Sequence, residues 1–332
     1  MINYSALMTK AAQSSTPNLR DSKGVKPENL GKAPRPFLRW AGGKRRLAEL
    51  LIDSFPANFD ASKNKFYEPF VGGGALTFAT GNPASEFFIP GKNLHINDSN
   101  PDLVIVYKVV RDNLGDLILE LEKLARDITR EAFVTVRSSN PKTDVKRAAR
   151  FIYLNKTCFN GLWRVNSSGQ FNVPWGQLKN PLIFDRDQLA ICSTRLQKAK
   201  ITNGSFSQAV KSAAEGDLVY FDPPYIPLTP TASFSQYAKD NFGLDDHEKL
   251  AQTIDELTSK GVYVLLSNSD TEMTRKIFKS SVTLRQISMN RSISASSGSR
   301  SPVNEVIGTN FPIQRGTLLS SLPLISRQRA GM

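Results

Sequence analysis

The sequence predicts an α/β fold, an open sheet interrupted by a mostly helical, basic insertion. Three observations point there. Short apolar runs alternate with stretches of helical periodicity along most of the chain. One such run, Leu218 to Phe221, stops abruptly at Asp222, Pro223 and Pro224, and proline has no N–H to continue a ladder. The positive charge is also concentrated: residues 137–200 hold twelve Lys/Arg against three Asp, which is nine of the thirteen net positive charges.

The elements follow in order. Residues 1–33 are rich in Ser, Lys, Asn, Pro and Gly and predict a disordered arm. Leu47, Leu50 and Leu51 mark a helix after Lys44, with strands at 66–70 and 94–97. Residues 101–130 read as one helix, with Leu114, Leu117, Ile118, Leu121 and Leu124 on one face. A second helix covers about 144–157, and 158–185 then loses all period. Alternation resumes with strands near 200–203 and 217–222, a helix at 245–259 and a strand at 262–267. Segments 282–287 and 304–311 close the sheet as a strand pair. Residues 314–332 form a basic, loosely ordered tail in which Leu318 to Ile325 has the apolar content to dock. The expected division is a catalytic domain in two pieces, 34–100 and 200–313, around an insertion at 101–199.

Composition narrows the function. A formal charge of +13 in 332 residues points to a polyanionic partner, most simply nucleic acid. Two cysteines, Cys158 and Cys192, are too few for a disulfide framework or a zinc site, and two histidines leave little for a His-based metal centre. The N-terminus lacks a signal-peptide core, and no apolar stretch approaches membrane-spanning length. The expectation is a cytoplasmic protein without metal or membrane.

Two stretches have the chemistry of a ligand site. In FYEPFVGGGALTF (66–78) a strand runs into three glycines and then a helix, a turn that lets a ligand approach the backbone closely. Asp98 lies 24 residues beyond Gly74, after the next strand, where an acid can hold ribose hydroxyls. The AGGKRR segment at 41–46 has no Ser/Thr after Lys44, so it is not a phosphate-binding loop of the NTPase kind. Its glycines precede a helix, Lys44 can hold a carboxylate, and Trp40 can cover an apolar or cationic ligand or sit in the core.

The second stretch is Asp222-Pro223-Pro224-Tyr225. In open α/β sheets ligands bind outside the carboxyl ends of the strands. Asp222 there can accept from an amino group, the Pro223 carbonyl is a second fixed acceptor, and Tyr225 offers a ring for stacking. Two acceptors on one amino nitrogen turn its lone pair out of the ring plane.

With these residues in view, the chain resembles the Dam-type DNA adenine-N6 methyltransferases of the D12 class over about residues 36–312. The motifs occur in that family's order: FLRWAGGK (37–44), EPFVGGG (68–74), IND (96–98), NGLWRVNSSGQFNVPWG (160–176), DPPY (222–225), LLSNSD (265–270) and RSISASSGSR (291–300). Residues 227–237 also look like the family's loop after DPPY, while 79–93 looks longer than usual. The resemblance implies a Rossmann-like S-adenosylmethionine-dependent sheet and direct methyl transfer to an adenine flipped from double-stranded DNA, at 5′-GATC-3′. It implies donor contacts at Trp40, Lys44, Phe70, Gly72 and Asp98, with Asp222 where donor and target meet. It also implies DNA contacts at Arg39, Phe159, Asn160, Leu162, Arg164 and Pro174. Phe159 has the shape of a wedge, Arg164 suits guanine, and Trp163 is expected to anchor the insertion's own core. Action on the nucleoid, as a monomer, fits this picture.

Other readings remain open on sequence alone. Methyl transfer to cytosine N4, an RNA adenine or a glutamine amide uses related motifs. A non-catalytic DNA-binding module would not need the DPPY stretch. A dinucleotide oxidoreductase would need a G-x-G-x-x-G spacing, which Thr77 breaks.

Overall fold

The structure is a computed structural model that describes residues 33–82, 85, 87–226, 242–289 and 303–326. Residues 1–32 of the expected arm at 1–33, the loop at 227–237, the RSISASSGSR segment and residues 327–332 lie outside them.

The strands, in chain order, are β1 (Phe66–Glu68), β2 (Leu94–Asp98), β3 (Lys200–Asn203), β4 (Leu218–Phe221), β5 (Tyr263–Ser269), β6 (Thr283–Met289), β7 (Val303–Thr309) and β8 (Leu324–Ser326). They form one sheet in the order β3-β2-β1-β4-β5-β7-β6-β8. β1 to β5 are parallel, β7 pairs antiparallel with both β5 and β6, and β8 extends the edge beside β6. The order switches between β1 and β4, and a crevice opens at the carboxyl ends of strands around such a point.

Both faces of the sheet are covered, which explains the unbroken apolar run of β4. Side chains alternate between two cores. Phe66, Leu94, Ile96, Leu218 and Tyr220 face one of them. It also holds residues of α1 (Ala48–Asp53), α2 (Ala75–Ala79), α3 (Pro101–Asp112), α4 (Leu114–Leu124), α5 (Arg130–Ser138), α6 (Asp144–Thr157) and α7 (Arg186–Leu196). Tyr67, Val219, Phe221 and Leu266 face the other, with α8 (Phe206–Ala209), α9 (Leu244–Ser259) and α10 (Glu272–Phe278). The insertion's helices therefore share a core with the sheet.

Several boundaries differ from expectation. The single helix expected over 101–130 breaks at Asn113 (φ −133°, ψ 39°) into α3 and α4. α3 starts where Asn100 accepts from the N–H groups of Asp102 and Leu103 and Pro101 occupies the first turn. α5, α7, α8 and α10 were not expected. β1 ends at Glu68, two residues early, because Pro69 follows. In 158–185, expected to be irregular, two isolated bridges, Cys158–Trp175 and Val165–Phe171, give the segment a hairpin-like course. The apolar part of the tail docks: Leu319 is fully buried, the Leu318 N–H donates to Asp53 at 2.7 Å, and β8 pairs with β6.

Candidate active site and nucleic-acid interface

β4 delivers Asp222 to the crevice beside β1. Its side chain is 20% exposed, and its Oδ1 is held from two sides. Ser267 of β5 donates to it at 2.8 Å, and the Lys44 ammonium lies 3.0 Å away. Since Ser267 spends its single proton on the carboxylate, the Tyr220 hydroxyl must be the donor in its 2.8 Å contact with Ser267. A relay of hydroxyls thus fixes Asp222 from within the sheet.

The next residues are equally restrained. The Tyr225 hydroxyl donates to Glu305 of β7 at 2.9 Å, and burial, with Asp222 and Glu305 adding to it, pushes that phenol well above its usual range. It therefore remains a donor. Lys44 Nζ sits 4.5 Å from the centroid of the same ring. His247, buried in the first turn of α9, contacts the Pro224 carbonyl at 3.1 Å and the Gly243 carbonyl at 2.8 Å. Asn268 accepts from the N–H of Ile226 and so holds the chain leaving the elbow.

The glycine turn lies across the crevice. Gly72 has φ +46°, and a Cβ there would lie 2.6 Å from the Trp40 indole. Gly74 has φ +73°, and a Cβ there would meet Tyr107 Oη at 2.8 Å. Both positions therefore need glycine, for conformation and for space. The Gly72 N–H donates to Asp98 at 3.0 Å, and the other Asp98 oxygen accepts from Asn100 at 2.9 Å. Burial raises the Asp98 carboxyl, and these backbone donors oppose it. Phe70 stacks on Phe206 with centroids 5.5 Å apart and meets Phe242 edge-on at 5.5 Å, making an apolar wall.

Beneath the turn lies a buried acid. Glu68 accepts from both the backbone N–H and the hydroxyl of Thr77, capping α2 in place of Gly74, which has no side chain to do so. Burial, reinforced by Asp222 and opposed by the Thr77 bonds and Arg195, pushes Glu68 up to about 8. Arg195, itself lowered to about 10 by burial, binds the Thr77 and Ile89 carbonyls and so ties the long 79–93 link to α7.

The second cluster lies on the insertion. Phe159 and Leu162 are exposed apolar side chains, 44% and 38% respectively. The Phe159 N–H donates to the Pro174 carbonyl at 2.9 Å, and Asn160 adopts a left-handed φ of 54°. Arg164 donates to the Asn172 side chain at 2.8 Å. Trp163 stacks on Phe151 at 3.6 Å and packs on Phe171, the anchoring role expected for it. Arg39 is exposed, and a Cβ at Gly161 would lie 2.5 Å from its Cβ.

The structure thus gathers Trp40, Lys44, Phe70, Gly72, Asp98 and Asp222 to Tyr225 around the crevice. Arg39, Phe159, Asn160, Leu162, Arg164 and Pro174 belong to the loop cluster. Sequence reasoning missed Ser267, Glu305, Phe206 and Phe242. Only Ser267 stood in a quoted motif, and nothing there marked it as the partner of Asp222. Among the described residues no group of three or more His, Cys, Asp or Glu could hold a metal ion, and no helix is long and apolar enough to cross a membrane.

Comparison with known proteins gives the family. A family model described as D12 class N6 adenine-specific DNA methyltransferase matches residues 40–293. A type II methyltransferase of Lactococcus lactis subsp. cremoris is 40% identical over 285 residues, covering 83% of this chain and 95% of that protein. A type II methyltransferase of Methanocaldococcus jannaschii is 41% identical over 248 residues, 71% of this chain and 84% of that protein. A DNA adenine methylase of Vibrio cholerae is 33% identical over 287 residues, 85% of this chain and 98% of that protein.

Proposed function

Because the chain belongs to the D12 class of N6 adenine-specific DNA methyltransferases, we propose that it methylates N6 of an adenine flipped out of a duplex 5′-GATC-3′ site, with S-adenosylmethionine as donor. The observation that carries this reading is the restrained elbow. Asp222 Oδ1 is held by Ser267 and Lys44, next to a proline carbonyl and a tethered ring.

When bound, the donor supplies an electrophilic methyl carbon on a positively charged sulfur. The residues around the glycine turn fit it. Asp98 is anchored by two backbone donors and keeps lone pairs free for ribose hydroxyls. Phe70, Phe206 and Phe242 offer ring surface to a purine. Trp40 against Gly72 bounds the other side.

The chain's task is positioning and exclusion of water. Asp222 Oδ2 and the Pro223 carbonyl accept from the target amino group and orient its lone pair toward the donor. Tyr225 stacks on the base, its ring held by Glu305 and by the Lys44 ammonium 4.5 Å from its centroid. N6 is unreachable inside a duplex, so the nucleotide must leave the stack. Phe159 would fill the gap, while Asn160, Leu162, Arg164, Pro174 and Arg39 contact the flanking pairs. In this reading 34–100 and 200–313 carry the chemistry and 101–199 the target recognition. The protein acts in the cytoplasm, on the nucleoid. The GATC target rests on the resemblance to Dam-type enzymes.

The test is methyl transfer from tritiated S-adenosylmethionine to duplex DNA, RNA and protein, followed by nucleoside analysis and modification-sensitive sequencing. N6-methyladenine at GATC is expected. Label on cytosine, RNA or protein would overturn the acceptor, and methyladenine at another site would overturn the target.

A further inference from the structure

Two residues on one face of α6 each hold both halves of the proposed site. They are Phe151 and Asn155, four positions and about one turn apart. Asn155 is fully buried. Its Oδ1 accepts from the Arg39 N–H at 2.9 Å, and its Nδ2 donates to the Arg39 carbonyl at 2.7 Å and to the Gly161 carbonyl at 3.1 Å. Phe151 stacks on Trp40 at 6.3 Å and on Trp163 at 3.6 Å. Residues 39–40 lead into the donor side, and 161–163 belong to the DNA-contacting turn.

The bonds to Arg39 stand in for secondary structure. Residues 33–43 form no helix or strand, so this peptide takes from one side chain what a neighbouring strand would otherwise give. The position of Trp40, which bounds the pocket at Gly72, therefore depends on Asn155. There is no slack on the other side either, since a Cβ at Gly161 would lie 2.5 Å from the Arg39 Cβ. A shift of the turn on binding DNA must pass to residues 39–40 or break these contacts.

We propose that Asn155 is a positioning residue that couples DNA recognition to donor binding, so that cognate duplex tightens donor binding and, by reciprocity, donor tightens duplex binding. This rests on the donor and DNA surfaces assigned under the proposed function. The coupling works because each ligand favours the same arrangement of residues 39–40 and 159–161, and only such a differential preference can shift an equilibrium.

The experiment titrates S-adenosylhomocysteine, which has no methyl to transfer, calorimetrically into the full chain with and without a saturating GATC duplex. Wild type is expected to bind it about 5- to 150-fold more tightly with duplex present. In Asn155→Ala that ratio should fall to within about twofold of unity; donor affinity without duplex also weakens as Trp40 loosens, so the ratio, not the affinity, reads the coupling. Gly161→Ala provides the second variant, because it disturbs the same contact from the exposed turn and leaves the buried amide intact; it should show the same loss, and it decides the matter if Asn155→Ala does not fold. Equal ratios in wild type and variants, or no ratio in wild type, would overturn the proposal. So would a uniform loss of both affinities with the ratio preserved, which marks a merely structural role. Failure of wild type to bind S-adenosylhomocysteine at all would instead unseat the donor assignment.

Discussion

The elbow after β4 and the loop at 158–176 both end in polar and aromatic side chains, yet they are built in opposite ways. At the elbow the groups around the two proposed acceptors, Asp222 Oδ2 and the Pro223 carbonyl, are already tied down: Asp222 Oδ1 by Ser267 and Lys44, Tyr225 by Glu305, the Pro224 carbonyl by His247. In the loop, Phe159 and Leu162 stand exposed, and Asn160 holds a left-handed backbone. The difference teaches where each part must be specified. A group that aligns an amine for in-line attack loses rate with small displacements, so the sheet fixes it beforehand. A group that reads base edges gets its final surroundings from DNA, so the protein need only present it.

The comparison is most directly broken at Asp222. Asp222→Ala removes an acceptor whose geometry exists before any ligand binds. Turnover should fall by about 10²–10³-fold or more, the cost typical of losing one preorganised electrostatic contact. Duplex affinity, which the proposed function assigns to the loop and its basic surroundings, should largely survive. Single-turnover methylation alongside a DNA-binding titration separates the two; near wild-type turnover would remove Asp222 from the chemistry.

Asp98→Ala sharpens the same side. An unpaired hydroxyl costs about 1–3 kcal/mol, roughly 5- to 150-fold in donor affinity. Calorimetric titration of S-adenosylmethionine should show that loss with sequence preference intact. An unchanged affinity would place the ribose elsewhere.

On the loop side the prediction has another form. Arg164→Ala should lose about 1–3 kcal/mol of discrimination at one guanine-containing pair rather than overall rate. The structure refines this, because Asn172 holds the Arg164 guanidinium in place. Asn172→Ala should thus give a weaker version of the same relaxed specificity. Methylation rates on GATC duplexes and single-base variants are the measurement. Slowing of every duplex by one factor would make Arg164 a backbone contact.

Legibility in the sequence follows the same divide. The elbow was readable because Pro223 and Pro224 cannot stay in a ladder, and the turn because Gly72 and Gly74 take a positive φ that favours glycine. Those are local constraints, and sequence states them. Ser267 and Glu305 serve the site through cross-strand register, 45 and 80 residues from their partners, which no local pattern encodes. α7 escaped notice because it is buried almost all round, including Gln188, Ser193 and Arg195, and so shows no clean stripe. The break at Asn113 was hidden because apolar residues continue at helical spacing on both sides of it.

The subtlest expected signal concerns stability rather than rate, and it comes from the buried acid beneath the elbow. Glu68 is pushed up to about 8 from an ordinary 4.5, chiefly by burial and further by Asp222. Between those values the folded chain keeps a proton that the unfolded chain has released. Stability from this group is therefore full below about pH 4.5 and is lost as pH rises through about 8. Asp98, also raised by burial, acts in the same direction. His247, lowered by burial, acts oppositely, and its contribution is lost as pH falls below its ordinary 6.5. The net slope mixes these groups, so the informative quantity is the difference between wild type and Glu68→Gln. Glutamine keeps the acceptor for the Thr77 N–H and has no proton to release. Denaturant unfolding across pH 5 to about 8.5 should show the variant gaining on wild type as pH rises. A difference that stays flat over the window would mean that Glu68 is ionised throughout, held so by Thr77 and Arg195, and that the carboxylate next to Asp222 already bears its charge when the enzyme works.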